Sequence, residues 1–469
     1  MNYTRSFIGE SYLYYQLRTP RMEPEPLEEF ERLVTYFQEH ESEREEMEYF
    51  FARIGKTGRS SVFDYIYNLA DVDSGSNLVH FGMALFILLS VCVLLINPQP
   101  GILLLIAAMC CSIGSYEHYK KPIRPYVLSC GAAEKVLQAT EELGHRNLGG
   151  FGEELKEISS AASGFRKMRW SMTMLMAGEQ QGGGLEQSLL IYLNNCFHID
   201  LILFQTVVKE ISRKIPEFEY LVEHIGRIEA AIAVASFRTL HPNYAVPELH
   251  MEGKVMYQAE DMVHPLIGDP VPNSICTEKS VLLTGSNASG KSTFLKTVAV
   301  NALLAQTVHT VTADSWKGRY FRIYSSMALR DDLLAEESYY IVEIRSLKRI
   351  LDRMEGEIPI LCCIDEVLRG TNTVERIAAS SQILKSMAKK NLLCFAATHD
   401  IELTWLLEQY FENYHFEEQI TEDSIQFDYR LKDGRAVTRN AIRLLHLMGY
   451  RDDIIRDAEI LAEELAGQY

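Results

Sequence analysis

Basic residues are in deficit: 46 Lys and Arg stand against 64 Asp and Glu, a formal net charge of −18. That argues against a broadly basic surface that coats nucleic acid, while leaving room for a local patch. The nine cysteines show no C-x-x-C spacing and no regular framework, which speaks against a disulfide scaffold or a cysteine metal site. Cys362 and Cys363 fall in a strand-like apolar run, and Cys92, Cys110 and Cys111 in other apolar runs. They read as small buried hydrophobes in a reducing compartment. The first twenty residues lack an apolar segment of signal-peptide type, so no cleavable leader is expected. No internal repeat is visible. The longest absence is of charge: residues 78–116 contain no Asp, Glu, Lys or Arg.

Residues 78–96 as a helix would measure about 28 Å at 1.5 Å per residue, close to the thickness of a bilayer core. Asn97-Pro98-Gln99-Pro100 interrupts the run, because proline cannot continue a helix. Residues 101–115 form a second, shorter apolar run, and Lys120, Lys121 and Arg124 follow it. By the positive-inside tendency that end faces the cytoplasm. The expectation is a transmembrane hairpin with both ends cytoplasmic; the alternative is an apolar hairpin buried in a soluble, cytoplasmic protein. On either side the pattern is helical. Leu27, Phe30, Leu33, Val34 and Phe37 recur at helix spacing within 27–54, where the acidic run 39–48 reads as a solvated face. Helices are also expected over 132–143, 151–176, 185–214 and 218–237, with Gly182-Gly183-Gly184 as a loop. The division expected is a core-like helical segment (1–77), the hairpin (78–116), a helical lever region (117–240) and an α/β domain (241–469).

In the α/β part, residues 281–293 read VLLTGSNASGKST. Gly285, Gly290, Lys291 and Ser292 give G-x-x-x-x-G-K-S between an apolar strand and a helix-like run. The backbone N–H groups of Gly285, Ser286, Asn287, Ala288, Ser289, Gly290 and Thr293 would cradle phosphates at a helix N-terminus. Lys291 would reach the β/γ-phosphates of ATP, and Ser292 would hold Mg²⁺. Residues 358–366, IPILCCIDE, form an apolar strand ending in Asp365 and Glu366: a carboxylate for Mg²⁺ and one to orient and deprotonate the attacking water. A third strand, 392–397, ends in Thr398-His399-Asp400, placing His399 within reach of a γ-phosphate. Gln306, beyond the helix-like run, is a candidate bridge between Mg²⁺ and water.

These stretches, with CCIDEVLRGTNTVERIA and FAATHDIELT, resemble the ATPase domain of the MutS family, a branch of the ABC-type P-loop ATPases. Asp365, Glu366, Gly370 and Thr371 follow its D-E-x-x-x-G-T run, and residues 398–403 its T-H-D-x-E-L run. His264-Pro265 is similar to its H-P segment, and residues 439–465 to its closing helices. The resemblance covers residues 240–469, and more faintly the helices before them. It implies ATP and Mg²⁺, a homodimer through the ATPase domain with composite sites, and Ser338 as the residue reaching the partner's γ-phosphate. Glu336 stands where the family has glycine. Ile267 and Tyr429 are implied at the adenine, Tyr429 by packing on the base. The family's mismatch-reading, connector and clamp domains are not expected here.

The functional expectation is a membrane-anchored, ATP-hydrolysing dimer switch. The alternative is a soluble, DNA-binding relative acting in DNA repair or recombination, with Arg166, Lys167 and Arg169 as its best basic patch. A transporter ATPase is the third class, but an L-S-G-G-Q-like signature is missing and two short apolar runs make no permeation path.

Overall fold

The computed structural model describes residues 2–56, 64, 67–69, 71–72, 76–146, 149–177, 185–286, 289–327, 339–369, 371–388, 391–420, 425–436, 445 and 448–466. Asn287, Ala288, Ser338 and Gly370 lie outside them. The chain forms two compact units, Met1–Gln16 with Arg32–Thr239, and Leu17–Glu31 with Leu240–Tyr469. The second unit thus takes in a piece near the N-terminus that a division at residue 240 leaves with the helical region. Long-range contacts are the reason. Arg21 N–H donates to the Gln306 carbonyl at 2.7 Å, and His309 Nδ1 lies 3.2 Å from Glu31.

The helices are α1 (Phe7–Arg18), α2 (Pro24–Glu39), α3 (Glu41–Ile54), α4 (Leu78–Ile96), α5 (Pro98–Ile123), α6 (Val127–Gly144), α7 (Gly152–Ser163), α8 (Arg166–Ala177), α9 (Leu185–Phe197), α10 (Ile199–Arg213) and α11 (Ile215–Leu240). Among the described residues of the first unit the centre is α11, buried on every face from Ile225 to Ala235 apart from Arg227. An all-round apolar helix is one enclosed by others. Its single buried carboxylate, Glu229, caps the start of α1. Glu229 Oε1 accepts the backbone N–H groups of Arg5 (2.6 Å) and Ser6 (2.7 Å), and Oε2 accepts that of Gly9 (3.1 Å) and the Ser6 hydroxyl. These are donors that a helix start leaves orphaned. Burial pushes the Glu229 carboxyl up to about 7, against the pull of those hydrogen bonds. Gly9 allows the approach, since a Cβ there would lie 2.3 Å from the carboxylate.

Helices α4 and α5 pack on each other as a hairpin. Pro98 and Pro100 sit in the first turn of α5, where a missing N–H costs nothing; the second run therefore starts earlier and runs longer than expected. The hairpin's outer surface is apolar and bare: Leu78, Leu85, Leu89, Leu95, Ile96, Leu103 and Ile106 are each more than half exposed. Cys92, Cys110 and Cys111 lie on this exposed surface rather than in a core. The base of the hairpin carries a buried polar cluster. His80 Nδ1 meets His198 Nδ1 at 2.9 Å, and Asp200 accepts from the Tyr116 hydroxyl (2.7 Å) and Lys120 Nζ (2.5 Å). His198 adopts a left-handed backbone with φ 53°. The chain bends there by 73°, so the expected 185–214 helix is two helices.

In the second unit a six-stranded sheet runs in the order β12-β9-β4-β8-β7-β6. Its strands are β4 (Ser280–Thr284), β6 (Arg322–Ser326), β7 (Ile360–Asp365), β8 (Leu392–Ala397), β9 (Phe411–His415) and β12 (Lys432–Asp433). All pairings are parallel except that of the edge strand β12. A second sheet, β1-β5-β2-β3, comprises Glu248–His250, Ser315–Arg319, Tyr257–Met262 and Asn273–Thr277 in that order. Helix α12 (Lys291–Thr307) lies in the core shared by the two sheets. Helices α13 (Tyr339–Leu351), α14 (Thr373–Met387) and α15 (Glu402–Leu406) cover the opposite face of the larger sheet. The strand pair β10 (Glu418–Ile420) and β11 (Ile425–Phe427) and the helix α16 (Asp452–Ala466) complete the unit.

Glu229→Ala should lower unfolding stability by about 2–4 kcal/mol, because three backbone donors and a hydroxyl lose their acceptor inside the protein. Denaturant unfolding measures this, and Glu229→Gln should cost less.

Candidate nucleotide site

Parallel register sets the site. Leu283 pairs with Ala397, and Asp365 with Ala397, so β4, β7 and β8 end at one level. Glu366 N–H donates to the Ala397 carbonyl (3.0 Å), and Thr398 N–H to that of Leu283 (2.9 Å). The loops after three buried strands therefore leave the sheet side by side at its carboxyl edge, where open α/β sheets bind ligands.

The loop after β4 needs its glycines. Gly285 has φ 138° and Gly290 φ 111°, values that L side chains avoid. A Cβ at Gly285 would also lie 2.5 Å from the Phe416 carbonyl oxygen. Lys291 opens α12 and folds back over the loop, donating to the carbonyls of Gly285 (2.7 Å) and Ser286 (2.6 Å). Burial lowers its ammonium to about 8, and the charges of Asp365, Glu366 and Glu418 pull the other way. Ser286 Oγ donates to Glu418 (2.5 Å), and Ser289 Oγ to the Ser286 carbonyl (2.9 Å).

Asp365 ends β7, five of whose six residues are fully buried. Glu366 follows with φ 60°, and Leu368 has φ 57°. Left-handed backbone at two non-glycine positions is strained and persists only where neighbours hold it. Here the buried carboxylate of Glu343 accepts the Leu368 N–H at 2.5 Å; burial raises the Glu343 carboxyl above the usual range. The Glu366 carboxylate meets His399 Nε2 at 3.2 Å and Arg369 Nε at 2.9 Å. Burial, then the Lys291 charge, holds the His399 imidazole below its usual value, with Glu366 acting oppositely.

Ser286, Ser289, Gly290, Lys291, Ser292, Thr293, Asp365, Glu366, His399 and Tyr429 line one cavity of about 300 Å³. A second of similar size is lined by His264, Ile267, Asn273, Gly290, Thr293, Phe416 and Tyr429, among others. Gly290, Thr293 and Tyr429 border both, so the cavities adjoin. Asn273 Nδ2 donates to the Tyr429 carbonyl at 3.0 Å, and the Tyr429 ring stacks on Phe427. The residues suit a nucleoside triphosphate with its metal: a cation and bare backbone for phosphates, Ser292 and Asp365 for Mg²⁺, and a mostly apolar recess for a base.

Gln306 is elsewhere. It is fully buried, fifteen residues after Lys291, which is about 22 Å along a helix axis. Its Nε2 donates to the Phe321 carbonyl (2.9 Å) and its Oε1 accepts the Phe321 N–H (2.7 Å). It lines neither cavity, so the role expected for it at the metal is corrected to a structural one. Asn287, Ala288 and Ser338 have no described position. Sequence reasoning missed Arg369, Phe416, Glu418 and Asn273. Only Arg369 had a local signal, three residues after Glu366; the others arrive from distant strands.

Residues 281–466 match the family described as MutS domain V. The chain is 27% identical over 292 residues to the DNA mismatch repair protein MutS of Pseudothermotoga lettingae, covering 60% of this chain and 36% of that protein. It is 29% identical over 295 residues to the protein of the same name from Aquifex pyrophilus, covering 61% and 34%. For that of Lactobacillus acidophilus the figures are 29% over 282 residues, 57% and 32%. The chain spans about a third of the length of these curated relatives. Its C-terminal part is similar to MutS domain V.

Because burial sets the Lys291 ammonium near 8, its charge is lost as pH rises through that value. Affinity for ATP, measured by equilibrium titration, should fall between pH 7 and pH 9.5. A flat profile would contradict the placement of Lys291 against phosphate.

Proposed function

We propose that this chain binds and hydrolyses ATP, works as an ATP-driven homodimer switch, and is anchored in a membrane by the α4–α5 hairpin with its C-terminal unit cytoplasmic. The observation that carries the ATP reading is the convergence of Lys291, Asp365, Glu366 and His399 on one cavity beside a glycine loop. Similarity to MutS domain V supports it independently.

Bound MgATP would supply the phosphoanhydride that is cleaved. Lys291, with loop N–H groups, would bind the phosphates; Ser292 and Asp365 would hold Mg²⁺. Glu366 would orient the attacking water and take its proton, and His399 would donate to the γ-phosphate. Ile267 and Tyr429 would flank the adenine. In the dimer, Ser338 of each copy would complete the other's site, and the carboxylate of Glu336, two positions earlier in the sequence, would weaken the help given to an anion. ATP preferring the closed dimer would shift the population toward it, and hydrolysis would release it.

The membrane reading rests on two helices, Leu78–Ile96 and Pro98–Ile123, each long and apolar enough to cross a bilayer, and on their bare surface. A bare apolar surface of this extent needs a covering. The runner-up is a soluble relative that grips DNA. The name of the relatives favours it; the net charge of −18 does not.

In detergent, ATP should convert monomer to dimer by light scattering, and Lys291→Ala should abolish the shift; identical behaviour of the two proteins would refute the switch. The chain should stay in membranes after carbonate extraction. Release to the supernatant, together with salt-sensitive binding of duplex DNA, would favour the soluble reading.

A further inference from the structure

We infer that Arg376 and Asp400 form a positioning clamp that fixes His399 against Glu366, an inference that rests on the ATP-hydrolysing reading above. Asp400 directly follows His399 and is 8% exposed. It receives a two-pronged contact from Arg376: Nε to Oδ2 at 2.9 Å and Nη2 to Oδ1 at 2.5 Å. Paired, near-parallel bonds of this kind define orientation as well as distance.

Both ends of the clamp are anchored. Arg376 lies in the first turn of α14, which Asn372 caps by accepting the Val374 N–H at 2.9 Å. The Arg376 N–H itself donates to the Asn372 carbonyl at 2.8 Å. On the other side, Asp400 N–H donates to Thr398 Oγ1 at 3.0 Å, and Thr398 N–H is tied to Leu283. The backbone is thus pinned immediately before and after His399. Helix α14 follows the loop that carries Glu366 and Arg369. The clamp therefore joins the two arms whose tips meet in the 3.2 Å contact between His399 and Glu366. Clamp and contact share a cavity of about 160 Å³, lined also by Arg369.

Neither Arg376 nor Asp400 borders the cavity at the glycine loop, so they act through His399 and not on substrate. Arg376 also neutralises the carboxylate of Asp400, the residue that follows His399 in the chain. The charges that act on His399 from the packed elements are Glu366 and Arg369 from the loop after β7, and Lys291 from α12. A lysine at 376 would keep the charge but lose the fork.

The test compares wild type with Arg376→Lys, Arg376→Ala and Asp400→Asn in the full chain. It reads MgATP turnover, affinity for a fluorescent ATP analogue, and the NMR titration of the His399 ring. Melting temperatures identify any variant that has lost its fold. Turnover of Arg376→Lys should drop about tenfold, with affinity unchanged within about twofold. Combining Arg376→Lys with Asp400→Asn should be no worse than either alone, because both break one contact. In Arg376→Ala the uncompensated Asp400 should raise the His399 titration midpoint, and Asp400→Asn should not. Unchanged turnover, or affinity falling in step with turnover, would overturn the clamp; so would a His399 midpoint identical in all four proteins. A wild type that binds nucleotide without hydrolysing it would count against the hydrolysis reading, and the clamp would then be judged by the titration alone.

Discussion

Two backbone hydrogen bonds at the carboxyl edge of the larger sheet, Glu366 to Ala397 and Thr398 to Leu283, govern where the chemistry can sit. They bring the exits of β4, β7 and β8 to the same height. Lys291, Asp365, Glu366 and His399 all leave from those three exits or from the first turn of α12. Because the strands are buried, register cannot slip without driving side chains of β7 and β8 out of well-packed positions. Rigid strands thus locate the chemistry, and strained loops aim it. Glu366 and Leu368 hold left-handed backbone under two restraints, the Glu343 carboxylate on the Leu368 N–H and the sheet bond of Glu366.

Charge is arranged with the same economy. Lys291 is buried among carbonyls and within the field of Asp365, Glu366 and Glu418. It is a cation with no carboxylate in direct contact among the described residues, and an anionic ligand would satisfy it better than the loop does. Glu366, in contrast, is already held by Arg369 and His399. A carboxylate so restrained is oriented before any substrate arrives, which lowers the reorganisation that catalysis would require. In the first unit the same logic runs at a structural site, where Glu229 supplies the acceptor that the start of α1 lacks. The α4–α5 hairpin follows another rule: it keeps its polar residues underneath and its apolar ones outside.

The fold and site were legible where local pattern and local chemistry coincide. The glycine loop, the Asp365-Glu366 strand end and the strand before His399 could be read because each joins a buried apolar run to a polar terminus. The two apolar runs of the hairpin were legible from the lack of charge alone. The breaks at His198 and between Ser163 and Arg166 were not, since no proline marks them; His198 bends the chain through a left-handed backbone that sequence does not announce. Membership of Leu17–Glu31 in the second unit depends on contacts nearly three hundred residues apart in sequence. Gln306 is near Lys291 in sequence but not in space, because the two sit at opposite ends of a helix of seventeen residues. Glu418 and Asn273 came from distant strands and left no local trace.

The central claim is that Glu366 activates water against a nucleotide held at Lys291. Single-turnover hydrolysis of γ-labelled ATP by Glu366→Gln tests it most directly. The account predicts that this variant binds ATP as the wild type does while releasing labelled phosphate at least about a hundredfold more slowly. Phosphate release at the wild-type rate would contradict it.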